Sequence, residues 1–250
     1  MLKNNIVKRT LSVLFALTVW QIAAMIVDTD FLFPTPIGVI CRLFTLWRED
    51  GFLSAISNSF LKIVLGFFMG LILGIILALI AARASIIENI LWPFMITIKS
   101  VPVASFIVLA LMWLTSKELS TFISFLMVLP IIYTSILSGI KNSNREMDKM
   151  ATVFKMPLGR RIIYIWIPRI KPFMLSACSI ALGLSWKAGV AAELIGIPDG
   201  SLGEMLYYAK IYFNTLDLFA WTIIIVLLSI SFEKIFISLL KFAFGRIEKI

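Results

Sequence analysis

The sequence predicts an all-α integral membrane protein of about six transmembrane helices, and three observations carry that expectation. Sixty per cent of its 250 residues are apolar and the mean hydropathy is +1.00, well above the roughly 45–50% apolar content of soluble domains. The apolar residues fall in runs of about twenty, the length that crosses a hydrocarbon core of about 30 Å. The basic residues avoid those runs and gather at the two ends and in one island between residues 140 and 171. Lipid is therefore the solvent that most of the chain meets.

Spans are expected near residues 10–27, 60–82, 89–114, 119–139, 172–195 and 217–239. The first follows Lys3, Lys8 and Arg9 as a signal peptide would, but no small-x-small cleavage site follows it, so it reads as a retained anchor. In the second, Gly66, Gly70, Gly74, Ala78 and Ala82 recur at every fourth position, a stripe that lets a neighbouring backbone approach. Pro93 and Pro102 bend or break the third. The fifth repeats the small stripe with Ala177, Ala181, Ser185 and Gly189. Here the stripe leads to Glu193 with Trp186 and Lys187 alongside, so its small residues are expected to leave room for something to pass. Trp20, Trp47, Trp113 and Trp221 read as interface or lipid-facing residues.

The charge pattern sets an orientation. With the N-terminus in the cytoplasm, Lys3, Lys8, Arg9, Arg83, the island and the C-terminal Lys234, Lys241, Arg246 and Lys249 all fall inside. Only Arg42, Arg48, Lys62, Lys117 and Lys210 fall outside, a bias that favours cytoplasmic termini and a multi-pass protein of the cell membrane. Two longer outer connections result, residues 28–59 and 196–216. The first holds Phe33-Pro34-Thr35-Pro36, a stiff extended turn, and an amphipathic stretch from Ile37 to Trp47 that suits the membrane interface. The net charge of +9 is explained by this distribution and does not point to nucleic acid.

Several chemistries are excluded by composition. Histidine is absent, and Cys41 and Cys178 lie in different segments without CxxC spacing, which argues against a metal site or a disulfide framework. No paired carboxylates or Ser-base pair stand in the spans, so nothing meets the requirements of an active site. The chain also lacks G-x-x-x-x-G-K-[ST], the loop that cradles ATP phosphates.

The island is too long for a connecting turn. Its basic residues are Lys141, Arg145, Lys149, Lys155, Arg160, Arg161, Arg169 and Lys171, against the acids Glu146 and Asp148. Two amphipathic segments flank Lys155-Met156-Pro157-Leu158-Gly159, and the island ends on Ile165-Trp166-Ile167-Pro168. Met150, Ala151, Val153 and Phe154 supply an apolar face, and the flanking cations suit acidic groups on a partner. Contact with anionic lipid headgroups explains some of these charges, Arg169 and Lys171 above all. It does not explain about thirty residues with a central turn.

Charges inside the spans are the other candidates, since each costs at least about 2.5 kcal/mol at mid-depth and must face protein or water. Lys99 reads as snorkelling toward the interface. Lys187 is either a cavity-lining charge or half of an ion pair with another helix. Six residues separate it from Glu193, which puts the two on different faces of a straight helix. Glu193 is either a gate or a cap, and Trp186 is the one aromatic placed for a solute.

Numbered from Lys149, the island reads Lys149-Met150-Ala151, three residues, Lys155, nine residues, Ile165-Trp166-Ile167-Pro168. This resembles the E-A-A-x3-G-x9-I-x-L-P loop of permease subunits of binding-protein-dependent ABC importers. Ala151, Ile165 and Pro168 match, while Lys149, Met150, Lys155 and Ile167 replace Glu, Ala, Gly and Leu. Glu146 and Asp148 are placed to stand in for the absent Glu, and Pro157 and Gly159 to make the turn. Phe33-Pro34-Thr35-Pro36, Val101-Pro102-Val103-Ala104, Pro130-Ile131 with Thr134 and Gly139, and Gly183-Leu184-Ser185-Trp186 are similar to the nitrate/sulfonate/taurine branch. Val190 to Gly196 and Gly200-Ser201-Leu202-Gly203 extend that likeness, which runs from about residue 10 to 245.

The resemblance implies a type I importer-like fold over a single transmembrane domain, residues 1–250, with residues 140–171 as its cytoplasmic coupling loop. It implies cytoplasmic ATPase subunits that carry ATP and Mg, an extracytoplasmic binding protein, and a second permease copy in a homodimer within membrane lipid. The chain itself would hold no cofactor. Glu146, Asp148, Lys149, Met150, Ala151, Phe154, Lys155, Pro157, Gly159, Ile165 and Pro168 would form the ATPase interface, with Pro168 redirecting the chain into the fifth span. Ser185, Trp186, Lys187, Gly189 and Glu193 would line the translocation path of a small solute. An ATP-independent secondary transporter or channel subunit is the alternative, and it predicts inverted repeats that the sequence does not display.

Overall fold

The computed structural model describes residues 2–27, 32–141 and 145–247. Eleven α-helices and one π-helical turn lie among them, with no strand. In chain order they are α1 (Leu2–Val27), α2 (Pro36–Leu46), α3 (Phe52–Arg83), α4 (Ser85–Ser100), α5 (Val103–Ala110), α6 (Ser116–Lys141), α7 (Arg145–Val153), α8 (Leu158–Arg161), the π-turn Ile162–Trp166, α9 (Ile167–Gly196), α10 (Leu202–Ile211) and α11 (Thr215–Ile247). Five of these helices are long and apolar enough to cross a membrane, and α4 with α5 is a sixth if the bent pair counts as one span.

The centre of the bundle is α6, packed along α3 on one side and α9 on the other. Small residues make this possible. A Cβ on Gly66 would sit 2.3 Å from the Thr121 carbonyl oxygen, and one on Gly70 would sit 2.7 Å from Val128 Cβ. The four-residue stripe of α3 is therefore a packing seam. Below it Phe67, Ile132, Ile136, Cys178 and Leu182 are buried in one apolar cluster. A second cluster, with Ile63, Trp186, Leu202 and Trp221, joins α3, α9, α10 and α11 at the opposite end.

Proline punctuates the third span as expected, but only one of its two prolines breaks it. Pro93 lies inside α4. The break falls at Val101, extended at ψ 132° because a proline follows it, and at Pro102. There the axis turns by 102°. The second span begins at Phe52, eight residues before the expected start, so Lys62, counted outside by the charge pattern, lies well within the helix. Trp20 and Trp221 also do more than face lipid: the Trp20 indole donates to the Pro34 carbonyl at 3.1 Å, and Trp221 is buried against Phe52.

The outer amphipathic stretch is helix α2. Thr35 caps it, accepting from the Gly38 amide at 3.2 Å, and Pro36 begins it. Arg42 of α2 holds two carboxylates, donating to Asp217 at the start of α11 and to Glu49. The charge-assisted bond to Asp217 first, then that to Glu49, keeps the guanidinium protonated even more firmly than usual. This clasp ties the interfacial helix to the last span. On the packing seam, Gly70→Leu is expected to destabilise by about 2–3 kcal/mol through overpacking. Thermal unfolding in detergent measures the loss, with Gly245→Leu, whose position has open space, as the unaffected control.

Candidate coupling segment and translocation path

The basic island folds as a short helix, a tight turn and a continuous helical run. Helix α7 ends in a Schellman motif: the Met156 amide donates to the Ala151 carbonyl at 2.9 Å and the Lys155 amide to the Thr152 carbonyl at 3.1 Å. The residue this motif places in left-handed conformation is Lys155, at φ +47°. The expectation that Pro157 and Gly159 make the turn is thus corrected. Gly159 lies inside α8 and has no positive φ. Lysine occupies the glycine position of the resembled loop and adopts the geometry glycine would, at a strain of order 1 kcal/mol.

The apolar face differs in membership from the one expected. Met147, Met150, Val153 and Phe154 are exposed, Phe154 at 77%, whereas Ala151 is only 2% exposed and turns inward. Arg161 returns from α8 to donate to Thr152 Oγ1 at 3.4 Å. The side chains of Glu146, Asp148 and Lys149 lie outside those described. Beyond the turn, α8, the π-turn and α9 follow one another without a break. Trp166 at the junction is right-handed helical (φ −76°, ψ −45°). Pro168 stands at the junction of the π-turn and α9 and does not end the helical run. Ile165 is buried beside it.

The small stripe of α9 is filled, not open. A Cβ on Gly189 would lie 2.6 Å from both Ile63 Cγ1 and Ser124 Oγ. Ser185 is buried, its carbonyl accepting from Ser124 Oγ at 3.1 Å and its hydroxyl donating to the Leu182 carbonyl at 2.8 Å. These residues hold α9 against α3 and α6, and the room expected along them does not exist. Trp186 and Lys187 instead edge a cavity of about 420 Å³ between α9, α10 and α11, with Gly183, Leu206, Thr222 and Ser229. Trp186 itself is buried, edge-on to Phe60 at 5.9 Å, and its indole nitrogen has no partner among the described residues.

Glu193 faces away from Lys187, as helix geometry requires, and is completely buried. Its hydrogen bonds are those of a helix cap. Ser59 donates to its Oε2 at 2.6 Å, and the Gly203 amide at the start of α10 donates to the same oxygen at 3.3 Å. The Ser59 hydroxyl in turn accepts from the Leu202 amide at 2.8 Å. Two orphan amides of a helix N-terminus are thereby satisfied, where a carboxylate also suits the helix dipole. Gly203 permits the approach: a Cβ there would be 2.3 Å from Glu193 Cβ. Ser120 lies beside the carboxylate without a well-formed hydrogen bond, and Oε1 has no partner among the described residues. Ser59 escaped the sequence reading, although Ser201 with Glu204 three residues on spells a helix start at Leu202. The Glu204 amide indeed bonds Ser201 Oγ at 3.1 Å.

Lys99 has a partner on a neighbouring helix. Its Nζ donates to Thr134 Oγ1 of α6 at 3.0 Å, within a groove between α4 and α6.

The family described as binding-protein-dependent transport system inner membrane component matches residues 70–248, and the chain belongs to that family. It is a membrane-spanning permease subunit of an importer, a conduit that is not itself catalytic. Among its relatives is the taurine transport system permease protein TauC of Escherichia coli strain K12, 26% identical over 231 residues, covering 90% of this chain and 83% of that protein. The putative aliphatic sulfonates transport permease protein SsuC of Bacillus subtilis strain 168 is 24% identical over 211 residues, covering 83% and 76%. The nitrate import permease protein NrtB of Synechococcus elongatus is 24% identical over 204 residues, covering 77% and 72%.

Two predictions follow from this geometry. Ser59→Ala removes the donor to Glu193 and strips the Leu202 amide of its acceptor, so it is expected to cost about 2–3 kcal/mol; thermal unfolding checks it, against Ser54→Ala as control. At the turn after α7, Lys155→Gly is expected to stabilise by about 1 kcal/mol and Lys155→Val to destabilise, because a β-branched residue resists positive φ. Rates of proteolytic cleavage across residues 153–160 order the three proteins.

Proposed function

We propose that this chain is the permease of an ATP-driven importer of a small anion, paired with a second copy in the cell membrane and cytoplasmic at both ends. Two cytoplasmic ATPase subunits, which bind ATP and Mg, grip residues 140–171. An extracytoplasmic binding protein delivers the solute to the opposite face. The observation that carries this reading is the segment from α7 to α9: an exposed apolar helix face ends in a tight turn and continues as one helical run into the most tightly packed part of the bundle. Such a segment is suited to accept a rigid partner in a groove and to pass its displacement on.

The excess of basic residues at both ends and in the island supports the orientation. An anionic solute is supported by the printed names of the relatives, which include taurine, sulfonate and nitrate permeases, and by two cations, Lys99 and Lys187, set beside cavities within the spans. Membrane lipid surrounds the remaining exposed apolar surface.

Reconstitution with the ATPase and the binding protein tests the proposal. Uptake of labelled taurine, an alkanesulfonate or nitrate should require ATP. Phe154→Asp should reduce both ATP-driven uptake and co-purification of the ATPase more than tenfold, as loss of an interface hot spot does. The Lys149→Glu, Lys155→Glu double variant should weaken the same association. Uptake that persists unchanged after ATP depletion would instead establish the secondary-transporter reading.

A further inference from the structure

Of the charges in the spans, Lys99 is the one whose surroundings form a built site. It stands fourteen residues after Ser85 on α4, and its Nζ meets Thr134, seven residues or about 10 Å of helix from Lys141 at the island end of α6, within the apolar run of that span. Its side chain is nonetheless exposed at the surface of the chain. A cation at that depth does not face lipid tails without a cost of at least about 2.5 kcal/mol. The surface it occupies therefore meets water or protein in the assembled transporter.

What surrounds Lys99 narrows its role. The groove encloses about 210 Å³ between α4 and α6, lined by Glu88, Trp92, Met95, Lys99, Tyr133, Thr134, Leu137 and Ser138. Thr134 Oγ1 accepts from Lys99 and gives its own proton to the Pro130 carbonyl at 2.7 Å. An ammonium has three donors, so two remain. Tyr133 is 3% exposed, yet its phenolic oxygen has no partner among the described residues, an arrangement that buried hydroxyls rarely tolerate. Ser138 is exposed one turn further along α6. The groove's carboxylate, Glu88, is engaged by Lys141 at the end nearest the island. Around Lys99 the groove thus presents a positive charge, and its hydroxyls at Tyr133 and Ser138 have no acceptor among the described residues.

We propose that this groove is a binding site for the anionic group of the transported solute, a small oxyanion such as a sulfonate or nitrate, with Lys99 Nζ as its counter-charge and the hydroxyls of Tyr133 and Ser138 as its further donors. The site deepens the function proposed above and rests on it for the identity of the cargo. It lies on a different face from Lys187. The spacing of Glu88, Met95 and Lys99 along one side of α4 makes the groove a polar track, from the middle of the span to the Glu88–Lys141 pair.

The test separates the site from the cargo. In the reconstituted complex with Cys41→Ser, Ser138→Cys is reacted with an anionic and a cationic methanethiosulfonate reagent of equal size. The anionic reagent should react about tenfold faster, the ratio expected for a charge of this proximity in a partly desolvated groove. Lys99→Met should abolish the preference, Lys99→Arg should keep it, and Lys117→Met should leave it unchanged. Equal rates for the two reagents, or a preference that survives Lys99→Met, would overturn the site whatever the complex transports. In the reconstituted complex with Cys41 and Ser138 intact, Lys99→Met should lower ATP-driven taurine or nitrate uptake at least tenfold, with Lys99→Arg retaining most of it. If the reagent preference behaves as stated but neither anion is carried in the wild type, the anion site stands and the function proposed above fails. Wild-type uptake that Lys99→Met leaves unchanged removes the groove from the solute's route.

Discussion

The approach of the α3 backbone to α6 is the constraint on which the rest of this bundle depends. In lipid no hydrophobic force draws one helix to another, and association comes from close packing. Gly66, Gly70 and Gly74 let α3 come near enough that even a methyl group would clash with α6. Gly189 does the same for α9, which reaches both Ile63 of α3 and Ser124 of α6. Three helices locked at this distance form a body with little freedom to deform, since close-packed interiors transmit strain instead of absorbing it.

Polar chemistry in the protein is found where that body is interrupted. Each helix end exposes backbone groups that need partners. At the start of α10 the orphan amides go to Glu193 and Ser59. At α2 the first amides go to Thr35, and the end of α7 closes its carbonyls with the Schellman bonds at Lys155 and Met156. The break at Val101 and Pro102 stands one turn from Lys99. One buried carboxylate thus joins the consecutive helices α9 and α10 to Ser59 of α3, far away in the sequence.

The sequence made the spans legible because period and length report directly on lipid. It also made the packing stripe of α3, the amphipathic stretch of α2 and the break at Pro102 legible, because small residues, apolar periodicity and prolines act locally. What it hid depended on partners distant in the chain. Gly189 and Ser185 have the same pattern whether a stripe faces a void or another helix, and only Ile63 and Ser124 decide between them. Ser59 looks like any serine at a helix start until Glu193 and Leu202 are seen beside it. Lys155 was unreadable for a different reason: a lysine carries no signal of positive φ, and the six-to-one bond from Met156 to Ala151 imposes it. Lys99 was read by its depth alone, while its role turns on Tyr133 and Thr134.

The elements outside the locked body are held much more loosely, and this difference bears on how a transporter built from it would move. Helix α4 buries only Met95 of its sixteen residues, and the 102° break leaves it joined to α5 by two extended residues. Regions with few buried apolar contacts are the ones that shift at low cost. By contrast α9 continues from the π-turn into the tightest packing of the molecule. On the proposed function, a displacement applied at α7 passes along α9 to α6 and α3 as one body, while α4, held to α6 by the Lys99–Thr134 bond and the Glu88–Lys141 pair, shifts at lower cost. The groove that holds Lys99 lies on that seam between the rigid part and the movable one. A cation placed there meets its anion most strongly when the seam excludes water and releases it when the seam opens, so the affinity of the site is set by the same motion that would expose it to one side or the other.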